Sequence, residues 1–276
     1  FSPERVDPGN KRYTTRNTSK VVGGVTPVCL EVGALFYEQT IENVLRVTSP
    51  RVAEMTKVFE NTFRAVNIAL VNEMALLCDR MRIDIWEVID AAATKPFGIM
   101  RFNPGPGVGG HCIPLDPFYL AWKARQYDFH TRFIELAGEI NISMPYFVRE
   151  KVARLLNERA RATRNSKILV IGVAYKRDIE DWRESPALKI TELLEHDGAV
   201  VDYHDPFVPS LVDEAGHLRH SVPLTAKALA EADCVVIATD HSTIDWAFVV
   251  EHAEAVLDTR NVTRSIKSGR GKIKFL

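Results

Sequence analysis

The chain has 276 residues, 46% hydrophobic and 26% charged, with a formal net charge of -1, enough to bury a proper core in about two domains. Charge near neutrality argues against a broad nucleic-acid or membrane surface, and no run of about 18 apolar residues offers a transmembrane helix. Four scattered cysteines make no paired framework and fit a reducing compartment, so a cytoplasmic protein with neither nucleic-acid nor membrane partners is expected.

Phe1 to Arg5 reads as the end of an extended segment, Asp7-Pro8-Gly9-Asn10 as a turn, and the polar stretch to Ser19 as a loop. Phe1 to Asn10 does not look like a secretory signal. The chain opens without Met and in mid-motif, so an N-terminal part is expected to precede it. Lys20 to Gly23 is a strand candidate. Thr26-Pro27 starts a helix to about Glu38, with a capping hydroxyl and proline in the first turn, and Glu42 to Thr48 is a second strand candidate. Residues 1–48 thus read as the tail of an α/β domain.

Ser49-Pro50 repeats the capping signal and opens the longest helix, which runs without Gly or Pro to about Met81. At 1.5 Å per residue it would be roughly 45 Å long, so it should bridge two domains or line a dimer. Lys57 and Asn61 share a face of it, as do Asn61 and Arg64; periodicity alone reads them as a solvated polar stripe. Asp84 starts another helix ending before Pro96. Helical patterns return from Pro117 to Arg125 and from about Thr131 to Thr163, with an interruption at Ser143-Met144-Pro145. Residues 49–163 are therefore expected to form an all-helical block.

One loop breaks that block. Four glycines (Gly105, Gly107, Gly109, Gly110) lie between Pro104 and Pro114, and glycine lets backbone amides close on a bound group. Cys112 follows, with His111 beside it and Asp116 four residues on, the ingredients of an activated nucleophile. The alternative for any lone cysteine is a small core hydrophobe. That suits Cys29, Cys78 and Cys234, which sit in apolar sequence, and suits Cys112 poorly. No metal site is expected, because His111 and Cys112 are adjacent and no second Cys or His stands at ligand spacing.

Arg161 to Ser166 is a polar boundary, after which the period changes. Strands are expected at Lys167 to Tyr175, Val200 to Asp205, Cys234 to Thr239 and Ala255 to Asp258. Helices are expected after Ser185-Pro186, to about Asp197, and from Thr225 to Glu231. This alternation predicts a Rossmann-like parallel α/β domain over residues 164–276. Its ligands would meet the carboxyl ends of the strands, which places Tyr175-Lys176-Arg177-Asp178, Asp205-Pro206 and Thr239-Asp240-His241 on one rim. The turn G-V-A-Y-K-R has one glycine where a dinucleotide fingerprint needs three. Lys176, Arg177 and Arg183 there are either an anion site or an ordinary basic rim.

Four motifs, in this order, carry a resemblance: F-S-P-E-R-V-D-P-G, K-V-F-E-N in the long helix, P-G-P-G-V-G-G-H-C-I-P-L-D-P, and G-V-A-Y-K-R-D-I-E-D-W-R-E-S-P. They cover essentially the whole chain and resemble the UDP-glucose/GDP-mannose dehydrogenase family of nucleotide-sugar 6-dehydrogenases. The resemblance implies NAD as cofactor, a UDP-sugar as substrate and a homodimer through the long helix. It also makes residues 1–48 the remnant of an NAD-binding Rossmann domain, 49–163 a helical dimerisation domain with the catalytic loop, and 164–276 a UDP-binding domain. On it, Cys112 is the nucleophile that carries a thioester between two hydride transfers, Lys57 and Asn61 hold the oxyanion and a water, Asp116 assists proton transfer, and Glu4 activates the hydrolytic water. Arg5, Arg101, Phe102, Gly105, Gly107, Gly109, Gly110 and Lys176 would bind substrate, and Arg183 would approach the cofactor.

Two departures bear on the sugar. Leu115 stands where UDP-glucose dehydrogenases often have lysine, and Pro8 where they have a second glutamate. The motif forms look more like dehydrogenases of N-acetylated sugars, and UDP-N-acetylglucosamine is expected ahead of UDP-N-acetylmannosamine or UDP-glucose. For the arginine that the family supplies across its dimer, Arg101 and Lys95 are candidates. A cysteine hydrolase or acyltransferase, and an inactive UDP-binding dimerisation module, are the competing readings.

Overall fold

The computed structural model describes residues 1–7, 10, 12–110, 113–213 and 215–276. Strands β1 (Lys20–Gly23) and β2 (Val44–Val47) pair in parallel across helix α1 (Pro27–Glu38). Thr26 caps α1, its hydroxyl accepting the Cys29 N–H at 3.1 Å. Two strands give little to pack against. Only Ala34 of α1 is fully buried, while Val28, Val32, Leu35 and Phe36 are exposed. Cys29 is exposed with them, which corrects its expected place in a core: its apolar neighbours face outward together.

Helix α2 (Pro50–Met81) is 32 residues and about 48 Å long. Ser49 caps it, and Arg82 ends it in the left-handed region at φ 58°. Its large apolar residues, among them Met55, Phe59, Phe63, Leu70, Met74 and Leu77, are exposed, whereas its buried face is Ala53, Asn61, Thr62, Ala65, Ala69, Asn72, Ala75 and Cys78. That seam of small and amide side chains lets helix α5 (Arg132–Asn157) pack closely along it. Helices α3 (Ile85–Ala92) and α4 (Asp116–Ala124) complete this part.

Two expectations for α5 fail. It runs through Pro145 without a break, and it ends at Asn157 rather than Thr163. Proline removes one helical bond, the one Asn141 C=O would accept, and that carbonyl lies beside Gly107. The helix stops because Ala160 turns left-handed at φ 55°, with Ala160 N–H donating to Asn157 C=O and Arg161 N–H to Leu156 C=O. This is a Schellman end built on alanine instead of glycine.

The C-terminal part is a five-stranded parallel sheet in the order β4 (Val200–His204), β3 (Lys167–Ile171), β7 (Cys234–Ile237), β8 (Val256–Asp258), β9 (Ile273–Phe275). The chain is thus mixed α/β, with a Rossmann-like sheet. β3 stops four residues before the expected Tyr175, because Gly172 (φ 84°) passes so near Thr239 that a Cβ would sit 2.5 Å from its carbonyl oxygen. Strands β5 (Ser210–Val212) and β6 (Leu218–His220) form a hairpin. Helices α6 (Pro186–His196), α7 (Ala226–Glu231) and α8 (Trp246–His252) flank the sheet.

The last turns of α5 enter the same core as the sheet: Val152, Leu155 and Leu156 pack with Ile168, Val170, Ile190 and Leu194. Helical part and sheet are therefore joined by apolar burial as well as by the chain. Leu156→Ala should cost about 2–5 kcal/mol, read as a lower denaturant midpoint at unchanged slope; a smaller slope would mean that the two parts unfold separately.

Candidate active site

The residues assigned to one rim do converge. Asp205, at the end of β4, is buried, and its Oδ2 accepts from the amides of Val173 (2.8 Å) and Ala174 (2.9 Å) and from His241 Nε2 (3.0 Å). Its Oδ1 accepts from Phe207 N–H (2.8 Å) and Val208 N–H (3.1 Å). Burial pushes this carboxyl up, but His241 and the amides more than offset it and hold the pKa below the ordinary aspartate value. Thr239 Oγ1 donates to Ala174 C=O at 2.6 Å, and Arg177 pairs with Asp240 at 2.9 Å. Lys176 Nζ meets Asp7 at 2.6 Å, which ties the N-terminal segment to this rim.

The glycine loop lies between the rim and α2. Gly105 N–H donates to Asn72 Oδ1 (3.0 Å), Asn72 Nδ2 to Asn141 Oδ1 (2.9 Å), and Asn141 Nδ2 to Ala65 C=O (3.1 Å). Neither asparagine was singled out by its pattern; the available signal was an amide inside each apolar helical stretch. On its other side the loop presses on protein. A Cβ on Gly109 would lie 2.7 Å from Tyr175 Cβ and 2.8 Å from Glu184 O, and one on Gly110 would lie 3.0 Å from the Tyr175 ring. Gly107 faces Pro186 in the same way, and Gly105 faces Arg260, whose Nε donates to Ala238 C=O at 2.8 Å. Arg260 too escaped the pattern, one residue past Asp258-Thr259. Phe102 packs edge-on against Phe63, with centroids 5.9 Å apart. Arg101 is exposed and pairs with Asp90 at 2.5 Å, a carboxylate it shares with Arg264. Lys95 lies over the Phe97 ring.

On the α2 side, Asn61 Nδ2 donates to Asp116 Oδ2 at 2.6 Å across 55 residues of sequence. Asn61 is 3% exposed, so the solvated-stripe reading fails for it and holds for Arg64, which is exposed. Lys57 is half-buried one turn earlier. Asp116 begins α4, where the helix dipole favours a carboxylate. Glu4 accepts from Arg5 N–H (2.7 Å), Val6 N–H (2.8 Å) and Lys20 Nζ (3.0 Å). The Val6 amide, aided by Lys20 against partial burial, holds its carboxyl below the usual glutamate range. Arg5 bonds to Glu60 (2.7 Å) and to Ser19 C=O (2.7 Å), pinning the N-terminal segment to the turn of α2 that carries Lys57 and Asn61. His111 and Cys112, on which the nucleophile expectation falls, lie outside the described residues.

A cavity of about 610 Å³ opens between the loop, α4, α5 and the start of α6, with Val108, Leu115, Phe118 and Ile142 among its apolar walls and Arg183 at its polar end. Arg183 forks onto Asp181 at 2.9 and 2.8 Å, which raises its pKa. Apolar walls with two cations, Arg183 and Lys189, among the lining could take part of a phosphorylated cofactor. Among the described residues no cluster of His, Cys, Asp or Glu gathers as a metal site, and no helix is long and apolar enough to cross a membrane.

Residues 51–143 match the central domain of the UDP-glucose/GDP-mannose dehydrogenase family, and residues 169–265 match its UDP binding domain. The chain belongs to the UDP-glucose/GDP-mannose dehydrogenase family. It is 37% identical to the UDP-N-acetyl-D-mannosamine dehydrogenase of Escherichia coli over 96% of this chain and 63% of that protein. It is 33% identical to the enzyme of the same name from Methanococcus maripaludis, over 94% of this chain and 60% of that one. The structure of the UDP-D-ManNAc dehydrogenase from Pyrococcus horikoshii superposes with a TM-score of 0.86 at 32% identity, over 99% of this chain and 63% of that one. The chain thus spans about 60% of the length of the family members it matches.

Two measurements probe this family site. Gly109→Ala should cost about 1–3 kcal/mol by overpacking against Tyr175 and Glu184; an unchanged thermal midpoint would mean that the loop is not docked in solution. Asp205 has a folded pKa below its unfolded value of about 3.9, so its stabilisation is full above roughly pH 4 and is lost as pH falls through the depressed folded value. Asp205→Asn should therefore be less stable at pH 7 by about 1–3 kcal/mol, with a gap to wild type that narrows below about pH 4. A gap constant down to pH 3 would count against an ionised Asp205.

Proposed function

We propose that the whole protein is an NAD-dependent nucleotide-sugar dehydrogenase that oxidises the C6 hydroxyl of UDP-N-acetyl-D-mannosamine to the carboxylate. The supporting observation is the Asn61–Asp116 hydrogen bond, which joins the last residue of K-V-F-E-N to the aspartate that ends H-C-I-P-L-D. UDP-N-acetylglucosamine, expected from the motif forms, gives way to the mannosamine epimer, because the relatives described above carry that name.

NAD, when bound, accepts one hydride in each of two oxidations, and Arg183 would hold it. Lys57 stabilises the developing oxyanion, and Asn61, its Nδ2 committed to Asp116, keeps Oδ1 for a water. An aldehyde gives up a second hydride only after a nucleophile adds to it. Cys112 adds as a thiolate, its proton passing by way of Asp116 to the aldehyde oxygen. The thiohemiacetal that results would become a thioester on giving its hydride to bound NAD and its hydroxyl proton back to Asp116, which returns it to the sulfur when the thioester is cleaved. Glu4, ionised throughout the neutral range, takes a proton from the water that cleaves the C–S bond. Carboxylate and free thiol remain.

The UDP group is held by Lys176 at the rim, by the loop from Phe102 to Gly110, and by Arg5 and Arg101. The exposed apolar row on α2 is covered in a homodimer, and the reducing cytoplasm keeps Cys112 a thiol. Residues 1–48, 49–163 and 164–276 form, respectively, the end of the cofactor domain, the dimerisation domain and the UDP-binding domain.

The full-length protein with UDP-N-acetyl-D-mannosamine and NAD should produce two NADH per uronate. Cys112→Ser should lower uronate formation by roughly 10³-fold or more, the scale on which loss of a nucleophile acts. Unchanged uronate formation in that variant would remove Cys112 from the mechanism.

A further inference from the structure

His241 has no solvent exposure; it lies in the segment after β7 and meets Asp178, after β3, and Asp205, after β4. Its Nδ1 is 3.0 Å from the backbone N–H of Asp178. A backbone N–H only donates, so Nδ1 holds its lone pair and the single ring proton is on Nε2. Nε2–H donates in turn to Asp205 Oδ2 at 3.0 Å. Among the described residues the ring faces the Asp205 carboxylate, the Asp178 carboxylate 3.8 Å from Nδ1, and the Phe207 ring with its centroid 5.0 Å away. Asp178 is itself held by Ser242, whose N–H and hydroxyl each donate to it at 2.7 Å.

We propose that His241, in the neutral tautomer with its proton on Nε2, is a positioning residue that sets Tyr175 and Lys176 for the nucleotide. The segment from Val173 to Asp178 is fastened at both ends. Asp205 takes the amides of Val173 and Ala174, Thr239 takes the Ala174 carbonyl, and His241 takes the amide of Asp178. Asp178 sits at φ 60°, a conformation that residues with a side chain keep only under restraint. Tyr175 and Lys176 lie between the fastened ends, the first beneath Gly109 and Gly110 and the second aimed at Asp7. The imidazole has one acceptor for Asp178 and one donor for Asp205, and the ring sets their spacing. Removing it takes away the acceptor of the Asp178 amide, so that the far end is tied through the side chains of Asp178 and Arg177 and no longer through that backbone N–H.

This inference rests on the reading of Lys176 as part of the nucleotide site. The test measures UDP affinity by calorimetry in the full-length wild type, His241→Gln, Lys176→Ala and the double variant. His241→Gln should weaken UDP by roughly tenfold, the effect of losing one buried hydrogen bond in a charged network, and should add less than twofold in the Lys176→Ala background. An affinity within twofold of wild type, or an equal loss with and without Lys176, would overturn the proposal while leaving the nucleotide reading intact. Wild type that binds no UDP would overturn that reading and the proposal with it, before any variant is made. Should the variant not fold, ¹⁵N NMR of histidine-labelled wild type decides: an Nε2–H imidazole at neutral pH supports the proposal, and an Nδ1–H or doubly protonated ring sinks it.

Discussion

The contact on which this structure turns is backbone against protein: the loop from Gly105 to Gly110 lies so close to Tyr175, Glu184, Pro186 and Arg260 that a single methyl on Gly109 would overlap three of them. Glycine is needed there because the neighbour is protein, and a ligand is not required to explain it. The same loop is held from behind by Asn72. It is a wedge fixed on both faces, and Asp116 on α4 is held in turn by Asn61. A site shared by the helical part and the sheet can be geometrically constant only if the seam between them is rigid.

The rigidity has a polar skeleton. Asn61, Asn72, Asn141, Asp205 and His241 are all buried, and each is hydrogen-bonded to a backbone group or to a side chain from another element. Burying an amide or carboxylate without partners would cost several kcal/mol, so these positions are consistent only with the full network in place. The alanine-rich face of α2 makes room for it. Large side chains at Ala65 or Ala69 would hold α5 away and break the Asn72–Asn141 bond. The outward turn of Phe59, Phe63 and Leu70 is the other side of that choice, since the helix cannot bury both faces.

Much of the architecture was legible because it is written in local chemistry. Thr26, Ser49, Asp84, Ser185 and Thr225 each cap the helix expected after them, and runs such as Cys234–Ile237 make buried strands. What escaped notice depends on distant partners. Ala160 ends α5 in a conformation usually given to glycine, and Pro145 stays inside a helix because the carbonyl it frees points to the loop. Cys29 has apolar neighbours yet no layer above it. Asn72 and Asn141 look like interruptions of an apolar pattern until the two helices are brought together. The short strands β5, β6 and β9 and helix α8 have three to seven residues, too few to declare a period. At the site, loop spacing pointed to Asp116 and the glycines and the family resemblance to Asn61, but the reason for the glycines lay in a domain surface that spacing does not encode.

The charges around the site divide into two kinds, and magnitudes tell them apart. Lys176–Asp7 and Arg183–Asp181 have side chains from about a quarter to three-fifths exposed, and pairs of that kind contribute roughly 0–1 kcal/mol. They cannot be what holds the fold together. A phosphate oxygen could replace either carboxylate at little cost, because the cation keeps a charged partner throughout the exchange. Asp205 and His241 are the opposite case: neither has solvent to fall back on, and loss of one leaves the other's donors or lone pairs bare. The rim is therefore an exchangeable layer of cations mounted on a fixed one. A nucleotide arriving there would meet charges already oriented and would not have to organise the segment that carries them, which is the economy that preorganised binding sites exploit.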